Sequence, residues 1–273
     1  SLPTLIRLDL KKRAYVIPYW LASEAAVAMT DLAEFLGTVL ALNLLFGIPL
    51  LYGTFLSVLD VLLILGLTGG RVRRLEYFFM VFVSIIGIGF VYEVFITGPS
   101  LGPLVAGSVV PQLGSVDRLL LAVGVIGATV MPHAVFVHSA LANDKITDSR
   151  VEVKRRAMRF HRLESIIMFT FAGFVNAAIM IMAAAAFYAH GKQVATIDEA
   201  YRTLSPLFGQ AAAVVFGITL LASGLSSSTT GTLAGQAIME GMLGKKINLW
   251  ARRIVTRLIN TIPTTVAILS GVE

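Results

Sequence analysis

Met131, Pro132, His133 and His138 fall in one apolar run, Gly124-Val-Ile-Gly-Ala-Thr-Val-Met-Pro-His-Ala-Val-Phe-Val-His138, long enough to lie in a bilayer. A thioether and two imidazoles can donate to a cation, and the proline among them interrupts the helix that would carry them. Pro132 has no amide hydrogen, and its ring collides with the carbonyl four residues back, so the helical bond ending on the Ala128 carbonyl does not form. In hydrocarbon a freed carbonyl costs several kcal/mol unless it faces protein, water or a ligand. The first half-helix also ends there with the negative end of its dipole, which favours a cation near Ala128 and Met131. The plainer alternative is a packing kink, with Met131 as gap filler. Histidines inside a membrane span are costly enough to favour the functional reading.

A second constellation is acidic. Glu24, Asp31 and Glu34 lie in the first apolar segment. At about 100° per residue Asp31 sits about 20° from Glu24 and Glu34 about 80° from it, so the three carboxylates share one helix face. Such a face is tolerable on a hydrated cavity or opposite Arg and His, and it suits a proton path; buried structural hydrogen bonding is the alternative.

These residues need membrane helices to hold them, and the composition supplies that setting. Hydrophobic residues make up 56% of the 273, charged residues 14%, and the mean hydropathy is +0.82. The chain reads as an all-α integral membrane protein forming a single transmembrane domain over 1–273. Its spans are expected at about 16–43, 47–66, 75–97, 117–141, 163–188, 207–235 and 250–271, each near the roughly 20 residues a crossing needs. With no cysteine there is neither a thiolate metal site nor a Cys nucleophile. Seven crossings put Arg7, Lys11, Lys12, Arg13, the Arg71–Arg74 loop, the 145–162 loop and Lys245–Arg253 on one side, leaving Arg118, Lys192 and Arg202 on the other. By the positive-inside rule the basic loops are cytoplasmic in a multi-pass cell-membrane protein. The chain starts on Ser1 and stops at Glu273 in a span, so it reads as an internal piece of a longer transporter.

Between these landmarks the signals are weaker. Gly47-Ile-Pro49 reads as a tight turn, Asp60 as one buried carboxylate, and Glu76 and Glu93 as interfacial anchors. The Gly/Pro/Ser-rich 98–115 segment and 188–201 read as outer loops. Lys154-Arg-Arg156 belongs to a juxtamembrane cluster suited to anionic lipid rather than to nucleic acid. Asn176 is the notable polar residue of its span. The Ser223–Gly235 stretch, rich in Gly, Ser and Thr, reads as a close-packing stripe, with a sodium site as the alternative. Arg252 and Arg253 sit at a cytoplasmic edge, and Arg257, one turn deeper, wants a carboxylate such as Asp31 or Glu34.

Ala128-Thr-Val-Met-Pro-His133 with His138-Ser-Ala-Leu141 resembles the sixth-helix signature of the Nramp (natural resistance-associated macrophage protein) divalent metal transporters. So do Thr30-Asp-Leu-Ala-Glu-Phe-Leu-Gly37, Ala41-Leu-Asn-Leu-Leu-Phe-Gly-Ile-Pro49, Ser223-Gly-Leu-Ser-Ser-Ser228 and Trp250-Ala-Arg-Arg253. The resemblance covers essentially the whole chain. It implies a LeuT-like inverted-repeat transporter fold, incomplete here, with about seven transmembrane helices corresponding to helices three to nine. It also implies metal binding by the Met131 sulfur and the Ala128 carbonyl. His133, Asp31, Glu34, Arg252 and Arg253 would form a proton pathway, with His138 near that route. The family's Asp-Pro-Gly-Asn motif, which supplies an aspartate and an asparagine ligand, is absent, so the missing N- and C-terminal helices become partners and this chain alone should not transport.

A thioether suits Mn²⁺, Fe²⁺ or Cd²⁺ and is a poor ligand for Ca²⁺ and Mg²⁺. The expected function is therefore proton-coupled import of Mn²⁺ and Fe²⁺ by alternating access, with no cofactor and no enzymatic activity. One rival is a sodium-coupled carrier of amino acids or other solutes, which leaves the Met-Pro-His cluster without a role. An intramembrane hydrolase using Ser226 to Ser228 with His133 or His138 lacks any Gly-x-Ser-x-Gly or His-Glu-x-x-His pattern. A transport-inactive structural fragment leaves the buried ionisable residues as unexplained cost.

Overall fold

The computed structural model describes the chain except residues 69–71, 111–113, 146–149, 192–193, 195 and 271–273. The side chains of 60–76, 132–133, 143–149, 228–229, 249–250, 253 and 267 also lie outside the described residues, and with them the expectations for Asp60, Glu76 and Arg253.

The described residues form helices α1 (Leu2–Leu10), α2 (Arg13–Phe46), α3 (Leu50–Thr68), α4 (Val72–Thr97), α5 (Leu101–Val109), α6 (Val116–Thr129), α7 (Pro132–Lys145), α8 (Val151–Ala186), α9 (Ile197–Phe208), α10 (Gln210–Leu243) and α11 (Leu249–Leu269). Five stretches are long and apolar enough to cross a membrane: Arg13–Phe46, Tyr77–Thr97, Val116–Ala142, Val151–His190 and Gln210–Leu243. The other two expected spans are helical in α3 and α11. Only Leu50–Leu59 of α3 registers as an apolar helix, a shorter one, and α11 carries Arg252, Arg253 and Arg257.

Helix α10 is the hub, packing on α2, α4, α7, α9 and α1. Its contact with α2 follows from small residues spaced by seven. A Cβ on Gly217 would meet Leu45, one on Gly224 would meet Thr38, and one on Gly231 would face Asp31 and Glu34. Successive sevens on both helices, running in opposite directions, make this an antiparallel contact in which backbones approach because no side chain intervenes. α2 ends on Gly47, at φ 68°, whose N–H donates to the Asn43 carbonyl, while Asn43 Nδ2 donates to the Ile48 carbonyl. A left-handed glycine closing a helix is the expected stop before Pro49.

Two segments expected as loops are helical. Pro103 sits in the first turn of α5, where its missing N–H costs nothing, so Leu101–Val109 of the proline-rich 98–115 stretch forms a helix. α9 begins with a capping box, Thr196 accepting from the Glu199 N–H and the Glu199 side chain accepting from the Thr196 N–H. Glu93, expected at an interface, is 1% exposed on α4.

Candidate metal and proton site at the broken helix

The apolar run of 116–145 is two helices, not one. α6 ends at Thr129, Val130 leaves helical geometry (φ −91°, ψ 82°), and α7 starts at Pro132. The Val130 N–H donates to Ile126, and the Ala134 N–H donates to the Met131 carbonyl with the tighter spacing of a helix start. Proline at the first position of α7 leaves no N–H in need of a partner. Ala128 lies in the last turn of α6, and its carbonyl lacks the donor that a continuous helix would place at position 132. Met131 stands between the half-helices and is 37% exposed. The side chains of Pro132 and His133 lie outside the described residues; His138 is on the exposed side of α7, while its neighbours Phe136 and Val137 are buried.

The two half-helices are held from different sides. Asn176 on α8 donates to Thr129 Oγ1, the last residue of α6, and Thr129 donates back to the Val125 carbonyl. Phe136 of α7 packs with Val16, Val27, Ile238 and Met242. The first turn of α1 ties on too, the Leu2 N–H donating to Ser139 Oγ. Asn176 was visible in sequence only as a polar residue in a span; its partner lies 47 positions away.

The carboxylate face of α2 meets α11 across the glycine track of α10. Asp31, 5% exposed, accepts from Asn260 Nδ2 at 2.5 Å. Arg252, 6% exposed, pairs with Glu24, whose other oxygen accepts from Trp20 Nε1 at 3.2 Å. Arg257 is buried with its guanidinium 5.1 Å from the Phe35 ring centroid, and it acts electrostatically on Glu34 together with Asp31. Glu34 Oε2 is buried and has no hydrogen-bond partner among the described residues. Glu24, Asp31, Gly231, Thr232, Arg252 and Thr256 line a cavity of about 30 Å³, enough for one water.

Asp31, Glu34 and Arg252 are thus gathered in one polar layer between α2, α10 and α11. Two partners were not assigned from sequence: Glu24 for Arg252, and Asn260 for Asp31. Among the described residues no group of three or more His, Asp or Glu is placed to hold a metal. A cation at the break would rest on the thioether and on carbonyl oxygen, a donor set that disfavours Mg²⁺ and Ca²⁺.

A broken apolar helix and a buried acid–base layer are thus parts of one helical bundle. The sequence profile described as natural resistance-associated macrophage protein-like (Nramp) matches residues 1–273, and the chain belongs to this family. It is 42% identical to the divalent metal cation transporter MntH of Deinococcus radiodurans, an alignment covering 100% of this chain and 62% of that protein. With MntH 1 of Pseudomonas aeruginosa it shares 43% identity, covering 92% and 58%. The crystal structure of a mutant Eremococcus coleocola manganese transporter superimposes with a TM-score of 0.87 at 34% identity, over 98% of this chain and 58% of that one. The chain therefore has the LeuT-like fold of the Nramp transporters, is a multi-pass membrane protein, and spans about three-fifths of the length of these relatives. They are named as transporters, not as enzymes.

Proposed function

We propose that this chain carries the broken-helix part of a divalent-metal site in a proton-coupled importer of Mn²⁺ and Fe²⁺. The supporting observation is the interruption at Val130 and Met131, which puts a thioether three residues along the chain from a carbonyl without its helical donor. Ala128 and Met131 bind the metal as substrate, and the segments that complete the fold supply the remaining ligands. The basic loops face the cytoplasm. Arg150→Cys, giving the chain its only cysteine, should therefore react with a membrane-impermeant maleimide from the inner side; labelling from outside reverses the orientation.

Pro132 opens the helix in this reading. In a full-length transporter carrying this sequence, Pro132→Ala restores the hydrogen bond to Ala128 and withdraws that ligand. The Ala128 carbonyl would then regain a donor, so the melting temperature in detergent should rise while Mn²⁺ or Cd²⁺ affinity by calorimetry falls. Intact affinity would leave the break with a packing role only.

Protons take the polar layer between α2 and α11. Asp31 and Glu34 sit on it, and His133, one residue past Pro132 in the chain, supplies the imidazole of the route; an imidazole titrates near neutral pH and can both take and release a proton. His133→Ala and Asp31→Asn should each lower metal-driven acidification of proteoliposomes more than they lower metal affinity. Wild-type acidification in both removes these residues from the path.

The sodium-coupled alternative places Na⁺ at the hydroxyl-rich part of α10. Gly224 and Gly231 of that stretch instead lie against α2, and Ser226 Oγ already donates to the Ser223 carbonyl.

A further inference from the structure

Helix α8 has 36 residues, about 54 Å at 1.5 Å per residue, against a hydrocarbon core of about 30 Å. From Ser165 to Ala186 it holds no Asp, Glu, Lys or Arg, and those residues alone span the core. The turns before them carry Lys154, Arg155, Arg156, Arg159 and Arg162, which fall at the headgroup level when Ser165–Ala186 spans the core.

The arginines are not spread evenly around that end. Ala178, Met182 and Ala186 mark the sector of α8 that packs inward, and Phe171 and Val175 are the side chains a Cβ on Gly87 of α4 would meet. Arg156 and Arg159 are rotated out of that sector and share an open groove of about 300 Å³ with Phe160 and Leu163. The Arg156 guanidinium lies 5.8 Å from the Phe160 ring centroid, which orients the fork. Phe160 and Leu163 are 61% and 56% exposed, and the same side of the helix continues into the span through Ile167 and Phe174, 57% and 71% exposed. Two guanidiniums over an apolar groove that runs on into hydrocarbon match a molecule with a phosphate at one end and a chain at the other. A polynucleotide would have no use for the stripe below the arginines.

We propose that Arg156 and Arg159, over the groove they share with Phe160 and Leu163, bind the phosphodiester headgroup of an anionic lipid, with one acyl chain lying along the exposed stripe of α8. Planar guanidiniums grip phosphate oxygens in pairs, which a lysine ammonium does not. The site is independent of the metal reading, since it needs neither Met131 nor the polar layer.

The test uses a full-length transporter carrying this sequence, with retention of phosphatidylglycerol and phosphatidylcholine followed by native mass spectrometry. Phosphatidylglycerol should be retained in preference to phosphatidylcholine. Arg156→Gln with Arg159→Gln should weaken that retention about thirtyfold, at an unchanged lipid-free melting temperature. Arg156→Lys with Arg159→Lys should fall between, because charge remains while the fork is lost. Lys154→Gln, on the other side of the helix, should retain lipid as wild type does. Equal retention in the glutamine pair, equal retention of phosphatidylcholine, or displacement by millimolar glycerol phosphate overturns the proposal. So does a photocrosslinker at Phe160 that captures a protein segment instead of lipid.

Discussion

Met131→Ala, in a full-length transporter carrying this sequence, should lose Cd²⁺ affinity by about tenfold, or about 1.4 kcal/mol, and begin to admit Ca²⁺ or Mg²⁺. The argument is one of ligand softness. A thioether adds affinity for Cd²⁺, Mn²⁺ and Fe²⁺ and little for hard ions, which hold water and carboxylate oxygen instead. Truncating the thioether side chain to its Cβ removes that bias and leaves room for a retained water on a harder ion. The substitution should cost little stability, because Met131 is 37% exposed and fills no core cavity. Selectivity therefore changes while the melting temperature stays. Proteoliposome uptake of Mn²⁺ with Mg²⁺ and Ca²⁺ as competitors is the decisive measurement. Unchanged discrimination would mean that the sulfur does not touch the ion, and the packing kink would be the better account of this segment.

The break itself was legible because its cause is local. A proline inside an apolar run removes one donor and clashes with one carbonyl, and α6 and α7 part at Val130 and Met131 accordingly. The shared face of Glu24, Asp31 and Glu34 was legible for the same reason, since it follows from helical period alone. Their partners were not: Glu24 meets Arg252 across 228 positions and Asp31 meets Asn260 across 229. Nothing in either local pattern ranks Arg252 above Arg257 as the mate of a given carboxylate. α9 is a different kind of miss. Thr196-Ile-Asp-Glu199 is a capping-box spelling that announces a helix start, but it stands in a polar stretch and reads as loop when apolarity is taken as the guide. The glycine track of α10 lay between these cases. Its small residues spoke for close packing, while the helix they pack against needed coordinates.

That track makes the second large effect, on folding. A Cβ on Gly224 would run into Thr38 Oγ1 and lie 3.0 Å from the Thr38 amide nitrogen and 3.1 Å from the Glu34 carbonyl oxygen. The hydroxyl can rotate away; the backbone atoms cannot move without parting α2 from α10. Gly224→Ala should therefore lower stability by about 1–3 kcal/mol, outweighing the roughly 1 kcal/mol that alanine gains over glycine in a helix, and Gly224→Val should abolish folded protein. Adding Thr38→Ala to Gly224→Ala should recover part of the loss, because it removes the hydroxyl contact and leaves the two backbone contacts in place. Gly173→Ala on α8, where a new Cβ meets nothing within 4 Å, is the matched control and should be neutral or stabilising. Function should follow packing, since Asp31 and Glu34 ride on the same contact one step along, opposite Gly231. Pushing the helices apart moves those carboxylates away from Arg252 and Asn260 on α11, so, on the proposed proton route, whatever Gly224→Ala protein survives reconstitution into liposomes should show weaker metal-driven acidification than wild type. Thermal unfolding of the four variants decides the matter: if Gly224→Ala melts with wild type and Gly173→Ala, the two backbones do not touch there, and the polar layer is held together by its own polar contacts alone.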